Sequence, residues 1–173
     1  MRFGFQLRLP IEFVPVALYL PRVHSGQLIF LVLCLAGPLF PAQAVSAKII
    51  KVLPHYLDKA GRHALTPSLY ERDAYQARLR KNPSDRTALR FDVQWKSREP
   101  APLTLRVELR GAVGKASTTA KLEEPAIFHG LFSKWSSVTI KGDEYKKFGE
   151  LTAWRATLWN GGQLVAEQKS FLW

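Results

Sequence analysis

Apolar and polar residues alternate with a period of two through most of the chain beyond residue 47. In "LRFDVQW", Leu89, Phe91, Val93 and Trp95 fall on one side, with Arg90, Asp92 and Gln94 on the other. In "LTLRVEL", Leu103, Leu105, Val107 and Leu109 alternate with Thr104, Arg106 and Glu108. This pattern predicts strands with one face buried and one in water. The connection "SREPAP" is short and proline-bearing, which predicts that the two strands pair as antiparallel neighbours. Upstream, "AKIIKVLPHYL" predicts an opening strand, and Pro54 places it at a sheet edge. "KASTTAKLEE", "WSSVTIKG" and a closing hairpin bring the expected total to about seven strands.

One segment has helical character. "TPSLYERDAYQARLRKNP" pairs Ser68 with Glu71 as a capping box and stops at Asn82-Pro83, which predicts a helix near 67–81. Tyr70, Ala74 and Ala77 are the residues expected to pack on the sheets, leaving Arg72, Arg78, Arg80 and Lys81 in water. Further on, "GDEYKKFGE" reads as a corner or a single helical turn leading into the last hairpin.

That hairpin, "ELTAWRATLWNGGQLVAEQKSFLW", carries three of the five tryptophans. A three-residue loop, Asn160 to Gly162, sets Trp159 opposite Gln163, Leu158 opposite Leu164 and Ala156 opposite Ala166. It also faces Arg155 with Glu167 as an ion pair. A two-residue Gly-Gly turn would instead put Glu167 and Lys169 on the side that should be buried. The expected core therefore includes Trp95 and Trp154, with Trp159 outside near the tip. The pattern does not assign Trp135, Phe171 or Trp173 to either side.

Residues 87–173 resemble the immunoglobulin-like and fibronectin type III class of β-sandwiches. The "FDVQW" strand, its "LTLRVEL" partner and the closing hairpin after "GDEY" carry the resemblance. It implies a mainly β, immunoglobulin-like antiparallel β-sandwich with one short helical insertion after the first strand. It also makes Tyr145 a tyrosine-corner analogue whose hydroxyl reaches back to the chain. The sheet-linking cysteines of antibody-type domains are absent. No functional residue transfers from so diverse a class.

The first 47 residues change the picture from composition alone. Arg2, Arg8 and Arg22 precede "LIFLVLCLAGPLF", an uncharged run from Leu28 to Phe40, and "AQA" and "VSA" follow it. The run is short for a membrane span, and the small residues suit a signal peptidase, so residues 1–47 are expected to be a signal peptide with a long basic start. Cleavage would fall after Ala44 or Ala47, leaving a single domain, 48–173, exported to the periplasm or outside the cell. An uncleaved anchor would have to use "FVPVALYL", which Glu12, Pro15 and Pro21 interrupt. The sole cysteine, Cys34, lies in the apolar run, so the mature chain has neither disulfide nor thiolate chemistry.

The chain carries 25 Lys and Arg against 14 Asp and Glu, a net charge of +11. Such a balance favours an anionic partner. Export makes nucleic acid an unexpected one, and an anionic envelope polymer or another envelope protein the expected one. Membrane contact is expected only through the signal peptide. Candidate binding residues are Arg72, Arg78, Arg80 and Lys81 on the helix, Lys146 and Lys147 at the corner, and Trp159 as an exposed aromatic.

Enzymatic constellations are sparse. His55 and His63 flank Asp58, but their spacing matches no recognised zinc pattern and reads more simply as a surface pair. "GAVGKAS" lacks the glycine a phosphate loop requires and reads as a turn after a strand. No catalytic residue, metal or cofactor is assigned. The expected function is non-enzymatic binding or scaffolding at the cell envelope. Two alternatives stand beside it. One is a small secreted enzyme or accessory module acting on polysaccharide or peptide, in which His55, His63 and an acid would converge in a cleft. The other is an assembly subunit that pairs through an edge strand.

Overall fold

The computed structural model describes residues 45–127 and 132–173. The expected signal segment up to Ala44 lies outside the described residues, as does His129. Seven strands, β1 (Ala47–Asp58), β2 (Arg86–Ser97), β3 (Pro102–Val113), β4 (Ala116–Ile127), β5 (Lys134–Lys141), β6 (Glu150–Asn160) and β7 (Gln163–Lys169), form two antiparallel sheets. The first sheet has the order β1-β2-β5 and the second β4-β3-β6-β7. Helix α1 (Leu69–Lys81) follows β1, and a second helix, α2 (Gly142–Phe148), joins β5 to β6.

The alternating strands bury the expected faces. Leu89, Phe91, Val93 and Trp95 of β2 and Leu103, Leu105, Val107 and Leu109 of β3 are all at most 2% exposed and belong to one cluster. Phe91 from the first sheet and Trp154 from the second meet edge-on, 6.4 Å between ring centres. Two antiparallel sheets sharing one apolar interior fit a β-sandwich. Trp95 is fully buried as expected, while Trp154 packs against the cluster from a half-buried position.

One pairing differs from expectation. β2 and β3 are not neighbours: β2 pairs with β1 and β5, whereas β3 pairs with β4 and β6. The short connection crosses from one sheet to the other. Alternation specifies which face of a strand is buried, and two strands stacked across a core satisfy it as well as two lying side by side.

The last hairpin also departs from its expected register. The turn is the two-residue Gly161-Gly162, with Asn160 opposite Gln163 and Trp159 opposite Leu164. A bulge at Leu158/Trp159 then shifts the ladder by one, so that Leu158 faces Ala166 and Thr157 faces Glu167. The extra residue restores the parity that a simple two-residue turn would lose, and keeps Glu167 off the buried side. The expected ion pair survives on a diagonal, with Arg155 3.2 Å from Glu167 although Arg155 stands opposite Lys169.

Helix α1 begins at Leu69 rather than at 67, and it presents another face. Ser68 caps it by accepting from the Glu71 amide, and Asn82 ends it. Tyr75, Gln76 and Leu79 are buried, whereas Tyr70 is 84% exposed and Ala74 and Ala77 are also on the outside. The helix is anchored by polar bonds as well as apolar packing. The Gln76 side chain accepts from the Tyr56 amide and donates to the Tyr56 carbonyl, both at 2.9 Å. It thereby fills the ladder positions left open on the edge strand β1. Such a residue in a hydrophilic helix breaks the apolar spacing on which a face is read, which explains the rotated face.

Strand β1 starts at Ala47, and the Ser46 carbonyl accepts from the Arg98 amide at 2.9 Å. Cleavage after Ala47 would remove these contacts, and cleavage after Ala44 would keep them. Among the described residues no helix is long and apolar enough to cross a membrane.

Candidate functional site

The outer face of the first sheet carries two groups of polar side chains. At one end, where β1 leaves and β5 runs into α2, a pocket of about 750 Å³ opens between Lys59, Arg86, Thr87, Thr139, Lys141, Tyr145, Lys146 and Glu150. Arg86 forms its floor. The guanidinium is almost wholly buried, donates to the carbonyls of Leu79 and Arg80, and reaches Glu150 at 2.5 Å. It also lies over the Tyr56 ring, 4.1 Å from the centre. Tyr56 donates its hydroxyl to Glu150 at 2.8 Å. Burial, followed by the hydrogen bond to Glu150 and its charge, pushes the Tyr56 phenol well above its ordinary range.

Arg86 and Glu150 thus satisfy one another, and the lysines do not share in it. Lys146 reaches Asp143 at 3.2 Å in an exposed pair, and among the described residues Lys59 and Lys141 have no ion-pair partner. The rim of the pocket is therefore cationic. Tyr145 does not act as a tyrosine corner: among the described residues it lies beside Arg86, whose hydrogen bond and charge partly offset the upward push of burial on the phenol.

The second group lies farther along the same face. His55 donates from Nδ1 to Asp92 Oδ2 at 2.9 Å, Arg90 donates to the same oxygen at 2.9 Å, and Ser137 donates to Asp92 Oδ1 at 2.6 Å. Burial resists ionisation of Asp92, but the bonds from His55 and Ser137 and the Arg90 charge outweigh it and hold the carboxyl at about 2. His63 sits 4.9 Å from His55 ring to ring, with its Nδ1 3.2 Å from Arg90 Nη2. The guanidinium can only donate, so His63 Nδ1 accepts and its proton resides on Nε2. Burial and the neighbouring Arg90 charge push the His63 pKa down, which keeps the ring neutral. Leu53, Arg72 and the half-exposed indole of Trp135 complete a shallow pocket around these groups.

The acid that joins the histidines is therefore Asp92, not Asp58. Asp58 holds the loop after β1 together: it accepts from the amides of Ala60 and Arg62, the Arg62 side chain and the Tyr75 hydroxyl. These donors outweigh its burial and lower its pKa far below the usual range. Among the described residues no group of His, Cys, Asp and Glu could hold a metal.

The expected binding residues are dispersed. Arg72 faces the histidine pocket beside Trp135, and Lys146 lines the lysine pocket. Lys147 borders a separate groove with Glu144 and Phe148. Arg78, Arg80 and Lys81 are exposed toward the end of α1, Arg78 lying 5.2 Å from the Tyr75 ring centre. Trp159 is on the outer face of the other sheet, covered by Arg106 at 4.4 Å and bonded through its indole nitrogen to Thr157. Lys59, Arg86, Arg90 and Asp92 were not singled out by the sequence. The Arg-x-Asp spacing in "LRFDVQW" does place Arg90 and Asp92 on one face, but only strand pairing brings His55 and Ser137 to them.

Comparison with known protein families, curated proteins and solved structures finds no match for this chain.

Proposed function

We propose that this chain is an exported, non-enzymatic binding module of the cell envelope, and that it grips an anionic polymer through the lysine-rimmed pocket of its first sheet. One observation carries the reading. Lys59, Lys141 and Lys146 converge with Arg86 around a cavity in which the sole carboxylate among the described residues, Glu150, is already tied to Arg86 and Tyr56. The strand order β1-β2-β5 and β4-β3-β6-β7 supports the immunoglobulin-like or fibronectin type III-like architecture, which is common among binding modules but assigns no ligand. Calorimetric titration with polygalacturonate, polyphosphate and lipopolysaccharide tests the reading. At least one should bind at low ionic strength, weaken as salt screens the lysines, and weaken again in a Lys59→Ala/Lys141→Ala variant. Silence from all three ligands at low salt ends it.

A second reading, a small secreted enzyme acting on polysaccharide or peptide, is supported by the convergence of His55, His63 and Asp92. In that reading the Asp92 carboxylate orients His55, and His63 acts as a neutral proton donor or acceptor. Turnover of such polymers by the folded protein, lost in His63→Gln, is its test. Intact polymer after prolonged incubation argues against it.

A further inference from the structure

The two pockets are connected by strand register. Pairing of β2 with β5 sets Ala88 opposite Lys141, Arg90 opposite Thr139, Asp92 opposite Ser137 and Gln94 opposite Trp135. Alternate residues of a strand share a face, so Lys141, Thr139, Ser137 and Trp135 stand in one outward row. All four are exposed, and the intervening Val138 and Ile140 are in the core. The row begins in the lysine pocket and ends in the histidine pocket. Its ends lie six residue steps apart along the strand, about 20 Å.

We infer that this row is the track of one linear acidic polysaccharide, which lies along β5 with carboxylates at the lysine pocket and a sugar ring against Trp135. The inference rests on the anion-binding reading above and names the ligand class and its path. Chemistry along the row fits it. The lysines and Arg72 offer charge at the two ends. Between them, the Thr139 hydroxyl suits sugar hydroxyls, and the Ser137 and Gln94 side-chain oxygens can accept from them, since the Ser137 proton goes to Asp92 and the Gln94 nitrogen donates to Ser133. Trp135 offers a flat apolar face, which a pyranose ring can cover and a bare polyphosphate cannot use. Asp92 does not repel such a chain, because its carboxylate is occupied by His55, Arg90 and Ser137. Among the described residues Arg72 pairs with the exposed Asp73 on the same helix, a contact that a ligand carboxylate can replace.

A length series of oligogalacturonates, from disaccharide to octasaccharide, tests the track by calorimetry at fixed low salt. Affinity should climb by about a hundredfold once the oligomer spans both pockets, because the second contact becomes intramolecular. Trp135→Ala should weaken the octasaccharide by about tenfold and leave the disaccharide unchanged. Lys59→Ala/Lys141→Ala should weaken both. Polyphosphate of matched length should be insensitive to Trp135→Ala. If affinity is flat with length, or the octasaccharide ignores Trp135→Ala while the lysine variant still weakens it, the track is wrong and the lysine pocket binds alone. If polyphosphate depends on Trp135 as strongly as the sugar does, the ligand class is wrong. If no oligomer or polymer binds the wild-type chain, the anion-binding reading falls as well. Circular dichroism of each variant separates loss of binding from loss of fold.

Discussion

On the outer face of the second sheet, Arg106 meets Glu123 at 2.6 Å, Lys121 meets the same carboxylate at 2.9 Å, and Arg155 lies between Glu108 and Glu167. Arg106 also covers Trp159, and Arg110 covers Trp173 at 4.1 Å. On the side of the first sheet, Lys141 of β5 and Lys59 in the turn after β1 have no such partner among the described residues, and Trp135 is half exposed. Both faces are polar strands over the same core, built from similar residue types. One spends its cations on its own acids and covers its aromatics. The other leaves cations and an indole in view of solvent. Net charge alone would treat the two faces alike, and the pairing of strands is what separates them.

The largest expected effect concerns Arg86, the buried cation beneath the lysine pocket. Replacing Arg86 by Met should cost about 3 kcal/mol in chemical denaturation, since it strips Glu150 of its partner and the end of α1 of two carbonyl contacts. Lys141→Ala, in the same pocket, should leave stability unchanged. Equal costs for the two would erase the division between a structural floor and a binding rim.

Asp92 comes next. Its carboxyl is held at about 2 against an ordinary 3.8, so the folded protein gives up that proton more readily than the unfolded chain does. The stability it contributes is complete above about pH 4 and is lost as pH falls through 2. Asp92→Asn should therefore cost about 2 kcal/mol at neutral pH and flatten the acid limb of the stability curve. An unchanged acid limb would mean that the His55–Asp92–Arg90 cluster does not hold in solution. His63 works in the same direction at higher pH, because its lowered pKa makes protonation below about 6.5 unfavourable to the fold.

Smaller effects belong to the second face. Arg106→Ala loses both the Glu123 pair and the cover over Trp159, and should cost about 1 kcal/mol with a shift in tryptophan fluorescence. Lys121→Ala, an exposed pair, should stay within about 0.5 kcal/mol. Neither should alter ligand affinity, and a loss of binding in either would move the site to the wrong sheet.

How far the sequence reached follows from what each pattern encodes. Two-residue periodicity identified the buried sides of β2 and β3 residue by residue, because burial is a property of one strand at a time. It does not tell neighbours from opposites, which is why β2 and β3 read as side by side in the sequence and stand across the core in the structure. The hairpin erred for a related reason: a bulge at Leu158/Trp159 corrects parity without leaving a mark such as glycine or proline. In α1, Gln76 is buried by bonds to Tyr56, and an apolar count passes over it. The site suffered most. Lys146 and Arg72 were visible as charges, but the pockets they line are made by residues far apart in the chain, Lys59 with Lys141 and His55 with Asp92.

The most direct test reverses charge on each face in turn. Lys59→Glu/Lys141→Glu and Lys121→Glu/Lys169→Glu change the net charge of the protein equally, the first beside the first sheet and the second on the outer face of the second. Calorimetric titration with octagalacturonate should show binding abolished in the first variant and retained in the second. Equal loss in both, or retention in the first, would contradict the claim that the outer face of the first sheet is the binding surface.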